Sequence, residues 1–352
     1  MRVLITGGAG FVGANLAVGL AERHEWELVA LDNLRRRGSE LNLPRLAAAG
    51  VELVHGDVRE PADLAAVGAV DALVECSAEP SVLAGVDGSV DYVVRSNLLG
   101  AYHCLEHCRV HGAQLVFCST SRVYPYTRLQ AIALDESPTR FVPAAEQAQP
   151  GVSAEGIAED FPLDGPRTLY GASKLAAEHL VEEYAAAFGL RSAVTRFGVI
   201  AGPWQMGKVD QGVVTYWVAA HRFGRPLSYL GFGGSGRQVR DLLHVDDAVE
   251  LIDRQLSEPE RFAGAVVNAG GGAAGSVSLR ELTGLCREAT GCETPVEAAG
   301  EDRPGDVPYY VSDCGRLFAL SDWRPSHGPE RIVADVDAWI GEHEDALRRV
   351  LA

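Results

Sequence analysis

The chain has 352 residues, a hydrophobic fraction of 47% and a formal net charge of −17 at pH 7. That length suits one large α/β unit or two domains, and the composition is that of an ordinary globular protein. A chain this acidic lacks the basic surface that nucleic acid binding requires, so no nucleic-acid partner is expected. No run approaches the ~18 continuous apolar residues of a membrane span, so no membrane partner is expected either.

The first half of the chain alternates short apolar runs with helical patterns. Predicted strands cover 3–7, 27–32, 51–57, 71–77, 114–120 and 191–197, and predicted helices cover 12–23, 94–112 and 167–189. Continuous apolar strands that alternate with helices are typical of a parallel sheet covered on both faces. The sequence therefore predicts an α/β fold.

Glycine and proline become frequent from about Gly198, which indicates a smaller, loop-rich second lobe. A helical pattern over 242–256 is expected to return to the sheet. The first predicted domain is therefore 1–197 with 241–265, and the second lobe is 198–240 with 266–352.

The seven cysteines are read as free thiols. Cys104 and Cys108 are four residues apart in a predicted helix, but no second pair or histidine cluster completes a metal site, so no metal is expected. Cys76 and Cys118 lie in apolar, strand-like runs and are predicted to be buried. Free thiols indicate a reducing compartment, and the expected location is cytoplasmic.

The segment "TGGAGFVG" (6–13) lies between the first strand and the first helix. Gly7, Gly10 and Gly13 allow a tight turn and a close approach of the backbone to a pyrophosphate at the helix N-terminus. The second strand ends in Asp32, where a carboxylate accepts hydrogen bonds from an adenosine ribose. These features predict a Rossmann-type dinucleotide-binding fold, a doubly wound parallel sheet.

Asp32 favours NAD over NADP because a carboxylate repels a 2′-phosphate. The arginines at 35–37 leave NADP open as an alternative, since they can bind that phosphate; a solvated basic loop explains them equally well. "GDV" (56–58) closes the third strand, where the chain can reach the adenine.

Tyr170 and Lys174 are four residues apart near the start of a long predicted helix, so they are neighbours on one face. An ammonium beside a phenol favours the phenolate, which can then remove a proton from a sugar hydroxyl. Thr120, at a strand end, can hydrogen-bond the same oxygen. By itself the Y-x-x-x-K spacing is more often ordinary helix surface, so this interpretation depends on the dinucleotide fold.

Together, "TGGAGFVG", "LDN", "GDV", "YGASK" and "RQVRDLLHVDD" resemble the extended short-chain dehydrogenase/reductase family over nearly the whole chain. The resemblance implies that Thr120, Tyr170 and Lys174 are catalytic and that NAD is the cofactor. For Asn97, a helix cap is an equally good reading. The implied cofactor-lining residues are Gly7, Gly10, Phe11, Val12, Gly13, Asp32, Asn33, Arg37, Asp57, Val58, Ser77, Ala78, Asn97, Ser119, Tyr170 and Lys174.

Sugar-nucleotide dehydratases of this family carry Asp-Glu after the catalytic threonine, where this chain has Ser121 and Arg122. Elimination of water from the sugar is therefore not expected, and epimerisation is the reaction of this family that remains. The segments 135–163, 202–213 and 231–244 resemble the CDP-paratose/CDP-tyvelose 2-epimerases, which implies oxidation of a nucleotide sugar at C2 and return of the hydride to the other face. The implied substrate-binding residues are Glu79, Ser121, Arg122, Gln205, Asp210, Gln211, Arg240, Arg303 and Asp306.

Three departures from the family pattern bear on the substrate. Gly198 stands where many relatives have asparagine, "VYP" replaces "VYG", and Glu79 lies close to the expected nicotinamide end. Glu79 either contacts substrate or caps the next segment.

Two other functions stay open. One is a UDP-hexose 4-epimerase or another NAD-dependent nucleotide-sugar oxidoreductase of the same family, because the same triad serves either carbon, and the other is an NAD-sensing regulatory protein. The helices near 94–112 and 169–189 are apolar enough for the homodimer that relatives commonly form.

Overall fold

The computed structural model describes residues 1–81, 83–85, 89–207, 211–300 and 305–351. Its strands are β1 (Arg2–Thr6), β2 (Glu27–Asp32), β3 (Glu52–His55), β4 (Ala72–Glu75), β5 (Gln114–Thr120), β6 (Leu134–Glu136), β7 (Phe141–Pro143), β8 (Val152–Ser153), β9 (Gly156–Ile157), β10 (Ser192–Phe197), β11 (Val199–Ala201), β12 (Leu227–Leu230), β13 (Val239–His244), β14 (Ala265–Ala269), β15 (Ser276–Ser278), β16 (Val296–Ala299) and β17 (Tyr309–Tyr310). Its α-helices are α1 (Phe11–Arg23), α2 (Leu43–Ala48), α3 (Pro61–Val67), α4 (Val90–Val94), α5 (Gly100–His111), α6 (Tyr126–Gln130), α7 (Leu169–Phe188), α8 (Val213–Arg222), α9 (Val245–Ser257), α10 (Pro259–Phe262), α11 (Leu279–Thr290), α12 (Gly315–Leu320), α13 (Pro329–Glu342) and α14 (Glu344–Val350).

The strands predicted in the first half are all present, with β2 and β5 at the predicted bounds and β3 and β4 shorter. The helix predicted over 94–112 is instead α4, a π-helical segment at Arg95–Leu99, and α5. The prediction of one helix over 242–256 was wrong at its start, because 242–244 complete strand β13 and α9 begins at Val245. A short apolar run such as "LLHV" does not by its periodicity distinguish strand from helix.

The chain divides into two compact units. Unit 1 contains Met1–Thr120, Leu169–Arg196 and Ala248–Val267; unit 2 contains Ser121–Thr168, Phe197–Asp247 and Asn268–Ala352. The expectation of a smaller second lobe was wrong. Residues 121–168, which the sequence analysis assigned to the first domain, belong to unit 2 and make it the larger of the two.

Unit 1 is built on a seven-stranded sheet in the order β14-β10-β5-β4-β1-β2-β3, with the last residues of β10 and β14 falling in unit 2. β1 pairs in parallel with β2 and β4, β2 with β3, and β4 with β5. The strand order reverses direction between β1 and β4. Because parallel crossovers are right-handed, the helices that precede and follow this point cover opposite faces of the sheet. This is a doubly wound α/β sheet, as predicted, and ligands bind such sheets at the carboxyl ends of strands beside the reversal.

An apolar core of unit 1 lies where α5 and α7 pack on the sheet. Leu4, Leu73 and Leu115 of three adjacent strands are at most 1% exposed and belong to one cluster with Leu105 of α5 and Val181 of α7. The helices contribute small or aliphatic side chains at helical spacing, which lets their backbones approach the sheet closely. Packing on this face fixes where α7 begins relative to the ends of β4 and β5.

Unit 2 contains a mixed sheet in which β13 pairs in parallel with β11 and β17 and antiparallel with β15. β12 and β16 form a parallel pair, and β6–β7 and β8–β9 form antiparallel pairs. Helices α8, α11 and α13 pack against one another. None of the helices in the described ranges is long and apolar enough to cross a membrane.

Candidate active site

The glycine turn after β1 is shaped for close approach to a ligand. Gly7 has φ +64°, and the Gly10 N–H donates to the Gly7 carbonyl at 2.9 Å. A Cβ on Gly13 would lie 2.2 Å from the Gly7 oxygen. The turn therefore requires glycine at Gly7 and Gly13, and it is tight at Gly10, where a Cβ would lie 3.0 Å from the Gly7 oxygen. Helix α1 has no side-chain N-cap, and its first N–H groups are the donors that bind anions at helix N-termini.

Asp32 ends β2 beside this turn and is held by backbone amides. Its Oδ2 accepts from the Ala9 N–H at 3.0 Å and its Oδ1 from the Leu34 N–H at 2.7 Å. Burial raises the pKa of Asp32, although these amides act in the opposite direction. Two hydrogen bonds leave lone pairs on the carboxylate, so it fits the predicted ribose acceptor. Of the arginines at 35–37, Arg35 stacks on the Tyr92 ring at 4.1 Å.

The next residues of the predicted cofactor-lining set lie at the ends of neighbouring strands. Asn33 follows β2 and donates to Asp57 Oδ2 at 2.9 Å. Arg59 binds both oxygens of Asp57; although burial opposes it, this contact lowers the pKa of Asp57 to about 2. Arg37 is exposed. The other members are placed as follows: Phe11 and Val12 open α1, Val58 follows β3, and Ser77 and Ala78 follow β4.

The predicted proton-transfer residues all belong to unit 1. Thr120 is the last residue of β5, and Tyr170 and Lys174 lie one turn apart at the start of α7. Thr120 and Lys174 are buried, whereas Tyr170 is half-buried. A partly exposed phenol next to a buried ammonium is the arrangement expected for an acid–base tyrosine.

Lys174 has a partner that the sequence analysis missed. Its Nζ donates to Glu75 Oε2 at 2.9 Å, and lies 3.9 Å from the centroid of the Phe117 ring. Burial by itself lowers the pKa of Lys174, but the Glu75 carboxylate and Tyr170 outweigh burial, so that this pKa is raised. One feature of the sequence could have predicted this contact. The apolar strand "ALVE" ends in a glutamate, and a buried carboxylate needs a partner.

Several other predicted side chains are engaged within unit 1. Ser119 donates its hydroxyl proton to Glu178, so its side chain is left only as a hydrogen-bond acceptor for a cofactor. Asn97 is fully buried inside the π-helical segment and is not a helix cap; its amide bonds the backbone of Glu79 and the Ser173 hydroxyl. Glu79 Oε1 accepts from the Ser81 N–H at 3.3 Å, which is the capping role that the sequence left open.

In unit 2, two of the predicted substrate-binding arginines, Arg240 and Arg122, lie around one backbone segment. Arg240 donates to Asp306 Oδ1 and to the Val307 carbonyl, each at 2.8 Å. Arg122 reaches the Gly305 carbonyl at 3.5 Å and carries a like charge near Arg240. Burial, aided by Arg122, lowers the pKa of Arg240 to about 10. Two guanidinium groups held close together favour an anionic ligand. Asp306, which the resemblance implies to be substrate-binding, is here the partner of Arg240.

The remaining substrate-binding predictions have mixed outcomes. Gln205 is bound to the Ile200 carbonyl and to Thr215, so its amide holds a loop. Gln211 Oε1 is buried with no hydrogen-bond partner in the described part of the chain. Ser121 is half-buried at the start of a 3₁₀ turn. Asp210 and Arg303 lie outside the described residues.

The structure leaves little room for a side chain at Gly198, where many relatives have asparagine. A Cβ there would lie 2.9 Å from Asp241 Oδ1 and 3.1 Å from Ser312 Oγ, so a larger side chain displaces these groups. Pro125, in "VYP", is the N-cap of α6. Both differences are accommodated locally within unit 2.

Two groups of side chains test the predictions about cysteines and metals. All seven cysteines are free thiols; Cys76 and Cys118 are half-buried, with sulfurs 3.6 Å apart, rather than fully buried. In unit 2, ligand atoms of His244, Asp246 and His327 lie within 4.8 Å of one another, a cluster that sequence reasoning missed. His244 Nδ1 already accepts from the Asp246 N–H, and His327 Nδ1 contacts Asp247.

The fold and this geometry define a dinucleotide-dependent α/β enzyme. The model of the NAD-dependent epimerase/dehydratase family matches residues 3–270, and the chain belongs to this family. Its cofactor is therefore NAD, and the glycine turn, where a Cβ would fill the space, and Asp32 fit that group.

Curated relatives act on nucleotide sugars. The chain is 29% identical to CDP-paratose 2-epimerase from Salmonella typhi, over 92% of this chain and 95% of the relative. It is 27% identical to UDP-glucose 4-epimerase from Corynebacterium glutamicum, over 99% of both chains. Among solved structures, the UDP-glucose 4-epimerase of Thermus thermophilus in complex with NAD superposes with a TM-score of 0.76, at 29% identity, covering 97% of this chain and 99% of that one. The nucleotide-sugar epimerases and dehydratases are thus its relatives.

Proposed function

We propose that this enzyme is a nucleotide-sugar 2-epimerase that acts on a CDP-hexose of the CDP-paratose/CDP-tyvelose type. The observation that carries the epimerase assignment is the pairing of an intact Thr120, Tyr170 and Lys174 with Ser121 and Arg122, where dehydratases have two carboxylates. Ser121 and Arg122 cannot take over the roles of those carboxylates, which protonate the leaving hydroxyl and remove the α-proton. The similarity to CDP-paratose 2-epimerase supports C2 as the reacting carbon.

The residues of unit 1 have distinct roles in this proposal. NAD, when bound, supplies a reversible hydride acceptor. Tyr170 Oη takes the proton of the sugar hydroxyl during oxidation and gives it back during reduction. Lys174 stabilises the phenolate form of Tyr170 by its charge, and the Thr120 hydroxyl bonds the same sugar oxygen. Because the proton and the hydride both return to the sugar, no second substrate is consumed.

In unit 2, Arg240 and Arg122 are the proposed phosphate ligands. A pyrophosphate accepts bidentate hydrogen bonds from a guanidinium, and it would offset the like-charge repulsion between these two arginines. Asp306 already orients Arg240, so its carboxylate acts through that arginine. The outcome expected for Arg240→Lys is weaker substrate binding, seen as a higher KM with kcat less affected.

The experiment that tests the reaction is proton NMR of the enzyme with CDP-paratose, CDP-glucose and UDP-glucose in deuterated water, without added NAD. A changed H1–H2 coupling in a CDP-sugar, with no deuterium at C2, is the expected result. Solvent deuterium at C2 would contradict hydride return. A change at C4 of UDP-glucose would instead establish the alternative, a UDP-hexose 4-epimerase. The similarity of the chain to UDP-glucose 4-epimerase supports this alternative.

Two variant pairs check the assigned residues. Tyr170→Phe should lower kcat by about 10²–10⁴-fold, while Tyr184→Phe, which removes a hydroxyl from the same helix, should remain active. Gly13→Ala should abolish copurification of NAD, because its Cβ would lie 2.2 Å from the Gly7 oxygen. Its control is Gly284→Ala in α11, where a Cβ meets nothing within 4 Å. Activity in Tyr170→Phe at the wild-type level would overturn the mechanism.

We also propose that the enzyme is a homodimer that pairs through the α5 and α7 region. Tyr102 and Val110 of α5 and Phe188 of α7 are exposed at 40%, 64% and 59%, which leaves apolar surface uncovered on these helices. Tyr102→Arg should halve the mass measured by sedimentation. Its control is Val142→Arg on β7, at another exposed apolar residue. An unchanged mass for Tyr102→Arg, or a monomeric wild type, would contradict the proposal.

A further inference from the structure

Glu75 and Lys174 form an ion pair that is closed off from water. Glu75 is the last residue of β4, a central strand of the unit 1 sheet, and Lys174 lies in the second turn of α7. Their side chains are 1% and 2% exposed, and Nζ lies 2.9 Å from Oε2. Removing two charges from water is costly, and a pair offsets that cost only when its geometry is good and its remaining hydrogen bonds are made.

The carboxylate has such additional support. Ser77 donates its hydroxyl to Glu75 Oε1 at 2.7 Å, and Thr6 Oγ1 is 3.2 Å from the Ser77 oxygen. Thus each Glu75 oxygen has its own donor: Lys174 for Oε2 and Ser77 for Oε1. Rotation of the carboxylate would break both contacts, so Glu75 is fixed in one orientation toward the ammonium.

The other groups around Lys174 do not replace this carboxylate. Tyr170 faces it from the same helix, and the Phe117 ring from β5. The thiols of Cys76, Cys104 and Cys118 are further titratable groups that face Lys174. The contact with Cys118, together with burial, raises the pKa of Cys76 well above its usual value, and burial does the same for Cys104, so both are uncharged at neutral pH. Within the described ranges, Glu75 is the only carboxylate in ion-pair contact with Lys174.

Burial and pairing have opposite effects on this lysine. A buried ammonium without a counter-charge gives up its proton, because the neutral amine is cheaper to keep in a low-dielectric interior. In the catalytic cycle Tyr170 alternates between phenolate and neutral phenol. When the phenol is neutral, Tyr170 contributes no negative charge, and Glu75 is then the one carboxylate among the described residues that pairs with the ammonium.

We propose that Glu75 is a positioning residue that keeps Lys174 protonated and oriented beside Tyr170 in both halves of the reaction. This inference rests on the proposed acid–base role of Tyr170 and Lys174. Without Glu75, Tyr170 and Lys174 would share a single proton, and a neutral amine would not support the phenolate. Glu75 therefore acts through the lysine and has no contact with the sugar in this role.

The chain offers an unusually direct test, because Lys174 and Lys208 are its only lysines. Protein labelled with ¹³C at the lysine Cε therefore gives two side-chain signals, and Lys208→Arg identifies that of Lys174. The NAD-bound enzyme is titrated with pH, and the Lys174 signal reports whether the amine carries a proton. In the wild type we expect the ammonium form to persist beyond pH 10.5, the ordinary lysine value.

Glu75→Gln keeps the size and a hydrogen-bond acceptor but removes the charge. We expect the Lys174 midpoint to fall by about 1–3 pH units in this variant, and kcat at pH 7 to fall by more than the change in KM. Glu75→Asp, which keeps the charge, should restore most of the midpoint and of kcat. An unchanged midpoint in folded Glu75→Gln would overturn the proposal.

Two features keep this test decisive. If Glu75→Gln does not fold, the wild type still decides, because a Lys174 midpoint below 10.5 would show that Glu75 does not hold the proton. The titration also needs no sugar substrate. A lowered midpoint in the variant combined with no epimerisation by the wild type would refute only the proposed function, whereas epimerisation with an unchanged midpoint would refute only the role of Glu75.

Discussion

The end of β4 in unit 1 and the middle of β13 in unit 2 hold buried carboxylates in opposite ways. Glu75 and Asp241 are both 0% exposed. Glu75 faces the Lys174 ammonium at 2.9 Å, whereas Asp241 has no ion-pair partner in the described part of the chain and contacts the Gly272 N–H at 3.4 Å. Burial raises the pKa of Asp241 to about 6. Of these two buried carboxylates, only Glu75 therefore has a cation in ion-pair contact among the described residues.

The largest effect is expected at another buried ion pair of unit 1, which joins Glu178 and Arg196. Their side chains are 4% and 6% exposed, and Arg196 Nη2 lies 2.7 Å from Glu178 Oε2. An arginine cannot shed its proton, so Glu178→Gln would leave a charged guanidinium without its carboxylate. We expect the free energy of unfolding, measured by urea denaturation, to fall by about 3–5 kcal/mol.

A matched double variant separates charge from packing at this pair. Glu178→Leu with Arg196→Met removes both charges, and it should recover most of the stability that Glu178→Gln loses. If the double variant is as unstable as the single one, packing rather than pairing explains the loss.

Asp241→Asn should have the opposite effect, because it removes a buried charge that no cation among the described residues pairs with. The folded-state pKa of Asp241, about 6, is above the ordinary value of 3.8. Its contribution to the free energy of unfolding is therefore most favourable below pH 3.8 and is lost as pH rises through 6. The free energy of unfolding of Asp241→Asn should therefore exceed that of the wild type by up to about 3 kcal/mol at pH 8 and should equal it at pH 3.5. Urea denaturation of both proteins at the two pH values measures this difference. A gain that is equal at both values would contradict an ionisable Asp241.

Glu281→Gln sharpens the comparison within unit 2, since this carboxylate does have a cation. Arg140 binds both oxygens of Glu281, and the Ser278 N–H donates to Oε2 in a capping box at the start of α11. Burial opposes ionisation, but Arg140 and these donors lower the pKa of Glu281 to about 2. Its stabilising contribution is therefore complete above pH 4.5 and lost as pH falls to about 2.

We expect Glu281→Gln to lower the free energy of unfolding at pH 7 by about 1–2 kcal/mol, because the Glu281 side chain is partly exposed and the substitution weakens one helix cap. Thermal unfolding at pH 7 and pH 2.5 should show the difference shrinking at the lower value, in the opposite direction to Asp241→Asn. A difference that grows toward low pH would mean that Arg140 does not stabilise the carboxylate.

The smallest effect is expected on the surface. Glu344 and Arg348 form an i,i+4 pair on α14 that water screens. Glu344→Gln should unfold at the wild-type urea concentration within error. A clear loss there would show that pairing stabilises carboxylates regardless of burial and would undo the comparison.

The features that the sequence predicted well are set by neighbours along the chain. The glycine turn at Gly7–Gly13, the spacing of Tyr170 and Lys174, and the apolar strands each carry their own local signal. Helix α7 was placed to within two residues at its N-terminus, because its apolar periodicity continues without interruption.

The features that the sequence missed depend on residues that are distant along the chain. Glu75 is 99 residues from Lys174, and nothing in either segment identifies the other as its partner. Likewise, assignment of 121–168 to unit 2 depends on contacts such as Tyr124 with Asn268, 144 residues apart. The strand–helix boundary at His244 was missed for another reason, since a short buried strand and a buried helix turn are equally apolar.

The division of the chain has a consequence for how the enzyme is made. Strand β14, at the edge of the unit 1 sheet beside β10, is supplied by residues that leave the ribosome only after two segments of unit 2, 121–168 and 197–247, have been synthesised. Until then the nascent sheet presents β10 as an open, apolar edge that can pair with other chains. Slow translation between residues 197 and 265 would prolong that exposure, so the yield of folded enzyme should depend on chaperones during this interval.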